Sequence, residues 1–371
     1  MWGASRSEST VEPSPAASCL LGPVARCSDV FGRPARVPSP PKFSVAMSVV
    51  ICNSEVNHVR RRHHCRLRFT PSAELLPKAP SDGLHYFDQE ELYLQKPIGA
   101  GAYGQVYEGI LQNHHRVAVK TVIAKKGCNV EEVHATLTKE AKLMAQLRGH
   151  ENVVRLFGLV DKGYTMYLVM ELCAGGSLDT MLRLHGNEVS TVQRVALAYQ
   201  ISNGLKWLHQ NGIIHRDLAC RNCLVQGNLL KLCDFGMSRT VTDPKIDPDA
   251  PQNVRWMAPE LWSTGTVTYA SDMYSFGVTL WELFNRPYVR PYDELKGYQV
   301  KKAVLTGYRL HVPEDMPRAV ESLMQKCFDA DPLCRPTSEQ AEVELGQILM
   351  NVNRKRPATS RSSSSLRRTR T

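Results

Sequence analysis

The sequence predicts an α+β protein of two unequal lobes, a small β-rich lobe with one main helix and a larger helical lobe. Three observations carry this. Between residues 92 and 170, short β-branched runs alternate with a single helical stretch. A glycine pair, Gly175-Gly176, then interrupts the chain. Beyond it the apolar spacing becomes helical and stays so to about residue 349.

The elements follow in order. Residues 1–85 are rich in Pro, Ser, Ala and Arg, with weak periodicity, and are expected to be disordered. His63 and His64 offer a metal pair there, or two solvated side chains beside Arg. Tyr93-Leu94 leads to Ile98 and a glycine cluster, and Gln105-Val106-Tyr107 returns from it. Arg116 to Val122 reads as a strand. Apolar residues Leu137, Ala141, Met144, Ala145 and Leu147 share one helical face over 131–148. Strands are expected at Val153–Leu159 and Met166–Glu171, completing a first lobe over 92–170. A hinge over 171–176 follows, and a second lobe over 177–349. Helices are expected at Ser177–Leu184, Val192–His209, Ser271–Phe284 and Pro317–Phe328. Residues 351–371, rich in Ser and Arg, are expected to be a disordered basic tail.

Charge is unevenly placed. The net charge is +10, but residues 1–85 hold eleven Lys/Arg against six Asp/Glu, and 351–371 hold seven and none. The stretch between is close to neutral, which argues against a nucleic-acid-binding core. The basic ends could meet an anionic membrane surface. Eleven scattered cysteines do not suggest a disulfide framework and suit a reducing compartment, here the cytoplasm. Cys220–Cys223 is a lone C-x-x-C, expected to pack rather than to bind zinc. No secretory signal is expected, and Phe43 to Cys52 is about half the roughly 20 residues a spanning helix needs.

Five short strings carry chemistry. Gly99, Gly101 and Gly104 let backbone N–H groups close over phosphate without a Cβ in the way. A strand, not a helix, follows them, and no acid occurs between Glu108 and Glu131, which disfavours a dinucleotide fold. Lys120, at the end of Val117-Ala118-Val119, can reach phosphate oxygens. Glu140 can hold that lysine. Glu131 and Glu132 are rivals, but Met144, one turn on from Glu140, belongs to the apolar set. Within His215-Arg216-Asp217-Leu218-Ala219-Cys220-Arg221-Asn222, Asp217 can accept a hydroxyl proton and Asn222 can hold a metal. Asp234 in Asp234-Phe235-Gly236 can bind Mg²⁺, and Glu260 in Ala258-Pro259-Glu260 has Arg335 as its expected partner.

In this order the set resembles the eukaryotic protein kinase family over roughly 92–349. The resemblance implies a bilobal protein-kinase fold and transfer of the ATP γ-phosphate to protein substrates. Mg²⁺, or alternatively Mn²⁺, would serve as the metal at Asn222 and Asp234. It implies Asp217, Lys120, Glu140, Arg221 and Asn222 as catalytic residues. Ile98, Gly99, Gly101, Gly104, Val106, Ala118, Lys120, Met170, Glu171, Cys173 and Leu224 would hold the nucleotide, with Met170 as gatekeeper and Glu171 and Cys173 in the hinge. Met144, Leu156, His215 and Phe235 would stack as an internal spine, and Asp272 would brace the catalytic loop.

The catalytic loop resembles the tyrosine-kinase form, with Ala219 two residues after the Asp and the basic residue at Arg221. Arg255-Trp256-Met257, Ser271 to Gly277 and Gly307-Tyr308-Arg309 are similar to that group too. A Ser/Thr or dual-specificity kinase, and a pseudokinase scaffold, are the alternatives. The oligomeric state is left open. Three departures stand out. Residues 237–257 contain no tyrosine, so Asp243, Asp247 or Asp249 is expected to meet Arg216 in place of a phosphate, or else a partner activates an exposed loop. Gln252 and Asn253 stand where the group usually has Leu-Pro. Phe328 stands where Trp is common.

Overall fold

The computed structural model describes residues 83–101, 104–121, 130–163, 165–247 and 252–354. His63, His64 and most of the basic ends lie outside the described residues. The first lobe contains strands β1 (Tyr86–Phe87), β2 (Leu92–Gly101), β3 (Gly104–Leu111) and β4 (His115–Thr121). Helix α1 (Val130–Gln146), β5 (Leu156–Asp161) and β6 (Met166–Glu171) complete it. The strands form one six-stranded sheet in the order β1-β5-β6-β4-β3-β2. All neighbours are antiparallel except β1, which lies parallel to β5 with Tyr86 opposite Leu159.

Strand alternation assigns the faces of β4. Val117 and Val119 join Phe87, Leu92, Leu111, Val160 and Val169 in an outer apolar cluster. Ala118 belongs to the main core, and Lys120, two residues on, shares its side. On α1, Leu137, Ala141 and Met144 are buried in that same core, so the lysine and the helix face one another.

The second lobe contains α2 (Leu178–His185), α3 (Thr191–Gln210), β7 (Ile213–Ile214), β8 (Cys223–Gln226), β9 (Leu229–Leu232) and β10 (Arg239–Thr240). Then come α4 (Leu261–Thr264), α5 (Tyr269–Phe284), α6 (Gly297–Leu305), α7 (Arg318–Cys327) and α8 (Ser338–Arg354). Capping boxes start α3 at Ser190, with Gln193, and α5 at Thr268, with Ser271. Every residue of α5 from Ser271 to Phe284 is buried, so it forms the lobe's central helix. Gly277 makes its packing on α7 possible: a Cβ there would lie 2.8 Å from Cys327 Cβ. Phe328 packs on Tyr274, with ring centroids 5.3 Å apart.

Several expected boundaries move. The fold begins before residue 92, because Leu84 is fully buried and Leu159 N–H donates to the His85 carbonyl at 2.8 Å. The strand expected from Val153 starts at Leu156. Val154 N–H donates instead to Leu232 O at 3.0 Å, tying this segment to β9 of the other lobe. The basic tail expected from 351 is corrected too, since α8 continues to Arg354. Among the described residues no helix is long and apolar enough to cross a membrane.

Candidate active site

Five residues from four parts of the chain, Lys120, Glu140, Asp217 with Asn222, and Asp234, lie where the lobes meet. Lys120 Nζ, from β4, donates to both carboxylate oxygens of Glu140 on α1, at 2.8 and 2.9 Å. It also donates to Asp234 Oδ1 at 2.7 Å. Glu131 and Glu132, both more than two turns earlier on the helix, are exposed. Burial opposes the charge on Lys120, yet Glu140 and then Asp234 hold it above the ordinary lysine range. Burial would likewise raise Asp234, but the Lys120 ammonium holds its carboxyl below the usual range. Burial pushes the Glu140 carboxyl up, against the pull of Lys120, so the Lys120–Asp234 pair is the part most firmly held in its charged form.

The catalytic loop is held from below. Asp272, on α5, accepts from His215 N–H at 2.7 Å, from Arg216 N–H at 2.8 Å and from the His209 ring at 3.0 Å. Arg216 sits at φ +68°, a conformation that disfavours a side chain, and Asp234 at +62°. The two amide bonds to Asp272 hold the turn that presents Asp217.

Asp217 is buried and receives three side-chain donors. Asn222 Nδ2 reaches Oδ2 at 2.8 Å, and Arg221 Nη2 and Asn253 Nδ2 (2.7 Å) reach Oδ1. The Arg221 guanidinium lies over the Trp256 ring, 4.1 Å from its centroid. Asn222 Nδ2 also donates to the Asp217 carbonyl, at 2.7 Å. That leaves its amide oxygen as the atom for a cation.

Among the described residues no cluster of three His, Cys, Asp or Glu could hold a metal unaided. Asn222 and Asp234 supply two oxygens, a donor set that fits Mg²⁺, which keeps waters and takes phosphate oxygens as further ligands.

The expected nucleotide residues lie on β2, β3, β4, β6, the hinge and β8. Ala118 and Met170 are register partners across β4 and β6, and Val106 pairs with both Gly99 and Lys120. Gly101 pairs with Gly104 at the tip of the β2–β3 hairpin, and Ile98 is exposed. In the hinge, Gly175 N–H donates to Val225 O and Val225 N–H to Gly176 O, both at 2.9 Å. That pairing sets Leu224 of β8 beside Ser177. Cys173 is buried, and burial pushes its thiol up to about 12. Met144, Leu156, His215 and Phe235 lie in or against the main core, with the His215 and Phe235 rings 5.4 Å apart.

Cys220 and Cys223 are buried, and burial raises both thiols well above the ordinary range, as for packed and unreactive side chains. Glu260 and Arg335 form a two-pronged ion pair at 2.7 and 2.8 Å.

Arg216 has a partner that the charge pattern did not suggest. Arg216 Nη2 donates to Gln252 Oε1 at 2.7 Å. Asp243 lies against Lys139 of α1 at 3.4 Å, and the Asp247 carbonyl accepts from Gln252 Nε2. Asp249 lies outside the described residues. Sequence reasoning noticed Gln252 and Asn253 as departures but gave neither a role, because an amide announces no partner until the chain is folded. It also missed Glu282, fully buried, which accepts from Trp256 Nε1 (2.8 Å), Tyr288 Oη (2.8 Å) and Cys220 N–H (3.1 Å).

The chain is similar to known proteins over this same region. The family described as protein tyrosine and serine/threonine kinase matches residues 92–345. Human tyrosine-protein kinase Fer is 35% identical over 274 residues, 73% of this chain and 33% of that protein. Ephrin type-A receptor 5 of Gallus gallus is 35% identical over 288 residues, 73% of this chain and 28% of the receptor. The transforming tyrosine kinase Fps of avian sarcoma virus (strain PRCII) is 37% identical over 257 residues, covering 67% and 47%. The chain thus spans about a third of the length of the first of these relatives.

Proposed function

Because this chain belongs to the protein tyrosine and serine/threonine kinase family, we propose that it transfers the γ-phosphate of ATP to tyrosine hydroxyls of protein substrates. One observation carries the kinase reading: Lys120 pairs with Glu140 beside Asp234, the ion pair and the metal-holding acid that kinase phosphoryl transfer uses. The tyrosine acceptor is supported by Arg221, which joins Asp217 and stacks on Trp256. Two of the relatives, Fer and the transforming protein Fps, are tyrosine-protein kinases by name, which agrees with it.

In this reading the adenine lies among Val106, Ala118, Met170 and Leu224, against the hinge backbone at Glu171 and Cys173. Lys120 orients the α- and β-phosphates. Asn222 and Asp234 would hold Mg²⁺, which neutralises charge on the phosphates when bound. Asp217 receives the tyrosyl hydroxyl and directs its oxygen in line with the γ-phosphorus. Positioning and electrostatics supply most of the acceleration. The cytoplasm fits, since it supplies ATP and keeps thiols such as Cys173 and Cys327 reduced.

Phosphate transfer to a tyrosine-containing peptide library, followed by phosphoamino-acid analysis and with Lys120→Met as control, tests the proposal. Phosphotyrosine is expected, and Asp217→Asn should lower turnover by roughly 10²–10⁴. Phosphoserine as the product would overturn the acceptor, and near-normal turnover by Asp217→Asn would overturn the mechanism.

A further inference from the structure

Two adjacent amide side chains reach two adjacent residues of the catalytic loop. Gln252 accepts from Arg216, and Asn253 donates to Asp217, each at 2.7 Å. The orientation of the Asn253 amide follows from chemistry. An ionised carboxylate only accepts, so the amide nitrogen must face it. The same nitrogen is directed to Met237 Sδ at 3.6 Å, one residue past Asp234-Phe235-Gly236. Asn253 therefore ties together the catalytic loop, the start of the following segment and the approach to Trp256.

A carboxylate offers about four lone-pair sites, two on each oxygen. On Asp217, Oδ1 receives Arg221 Nη2 and Asn253 Nδ2, and Oδ2 receives Asn222 Nδ2. Oδ1 is full, and Oδ2 keeps a vacant lone pair. We propose that Asn253 is a positioning residue for phosphoryl transfer. With Arg221 it saturates Oδ1, fixes the rotation of the carboxylate and leaves Oδ2 to receive the acceptor hydroxyl. A Leu-Pro pair at 252–253 could donate no such bond, so the contact depends on this chain's own departure from the tyrosine-kinase pattern. It also makes the aim of the base depend on where residues 252–257 sit. The inference rests on the reading of Asp217 as the receiving group.

Asn253→Leu and Asn253→Asp test it, because Asn, Leu and Asp have nearly the same shape. Leu removes the donor, and Asp sets a second negative charge against Asp217. Steady-state transfer to a tyrosine peptide is measured alongside each variant's melting temperature and ATP affinity. The expected kcat falls about tenfold for Leu and about a hundredfold for Asp, with both KM values within about twofold. A side chain that only filled space would leave both variants close to the starting enzyme. Variants within about twofold in kcat, or a loss confined to KM, overturn the inference. If Asn253→Asp does not fold, Asn253→Leu decides alone. An inactive starting enzyme removes the kinase reading and this inference together. An active one with unchanged variants removes the inference only.

Discussion

Asp272→Asn tests how the fold aims the catalytic loop. The Asp272 carboxylate is fully buried and takes two backbone N–H groups and one imidazole. Oδ2 receives His215 N–H and the His209 ring, and Oδ1 receives Arg216 N–H. An asparagine can keep its oxygen at the first position, but its nitrogen then faces the Arg216 N–H, donor against donor. One buried N–H left unpaired costs about 1–3 kcal/mol. The two bonds that remain lose their charge assistance, at about 0.5–1 kcal/mol each. Relaxation of Arg216 from φ +68° would return about 1–2 kcal/mol, but it would move Asp217 in doing so. The net expectation is a loss of about 2 kcal/mol in denaturant unfolding at unchanged m, with kcat down at least about tenfold and ATP affinity retained. Unfolding within about 0.5 kcal/mol of the starting protein, together with full kcat, would refute the claim that Asp272 holds this turn.

Glu282→Leu strips partners from the Trp256 indole, the Tyr288 hydroxyl and the Cys220 amide, and should cost about 3–6 kcal/mol in chemical denaturation. Glu282→Gln should cost only about 1–2 kcal/mol, since its oxygen can serve Trp256 and Cys220 while its nitrogen donates to Tyr288. Equal losses would argue that charge, not bonding, matters there. Gly175→Ala would set a Cβ 2.4 Å from the Val225 carbonyl oxygen, so β8 must shift. A raised KM for ATP and a loss of about 1–3 kcal/mol are expected, and unaltered nucleotide affinity would separate the hinge pairing from the adenine floor.

Much of the site was legible before folding. Lys120, Glu140, Asp217, Asn222 and Asp234 are residue types whose chemistry narrows their partners, and the structure bonds Lys120 to Glu140 and Asp234, and Asn222 to Asp217. Glu140 could be preferred to Glu131 because helical periodicity states which side of α1 is buried. Long periodic elements were legible for the same reason, as α3 and α5 show. What escaped was set by tertiary contact. Two residues of β1 carry no period, and their strand exists only because β5 offers an edge. Arg354 looked like the start of a tail because its neighbours are basic, yet α8 packs on α3 and its last turn persists. Acids were expected opposite Arg216 because charge attracts charge, while the Gln252 contact depends on backbone placement that no charge pattern announces.

That last contact carries no covalent history. A phosphate facing an arginine is written by one enzyme and erased by another, so its occupancy records their balance. Its second ionisation also falls near pH 6, where cellular acidification can alter it. The Gln252 amide does neither. It is present in every copy of the chain from synthesis onward, carries no proton to lose and offers nothing for a phosphatase to remove. At the contact between Gln252 and Arg216, the clamp on the catalytic loop is inherited rather than switched.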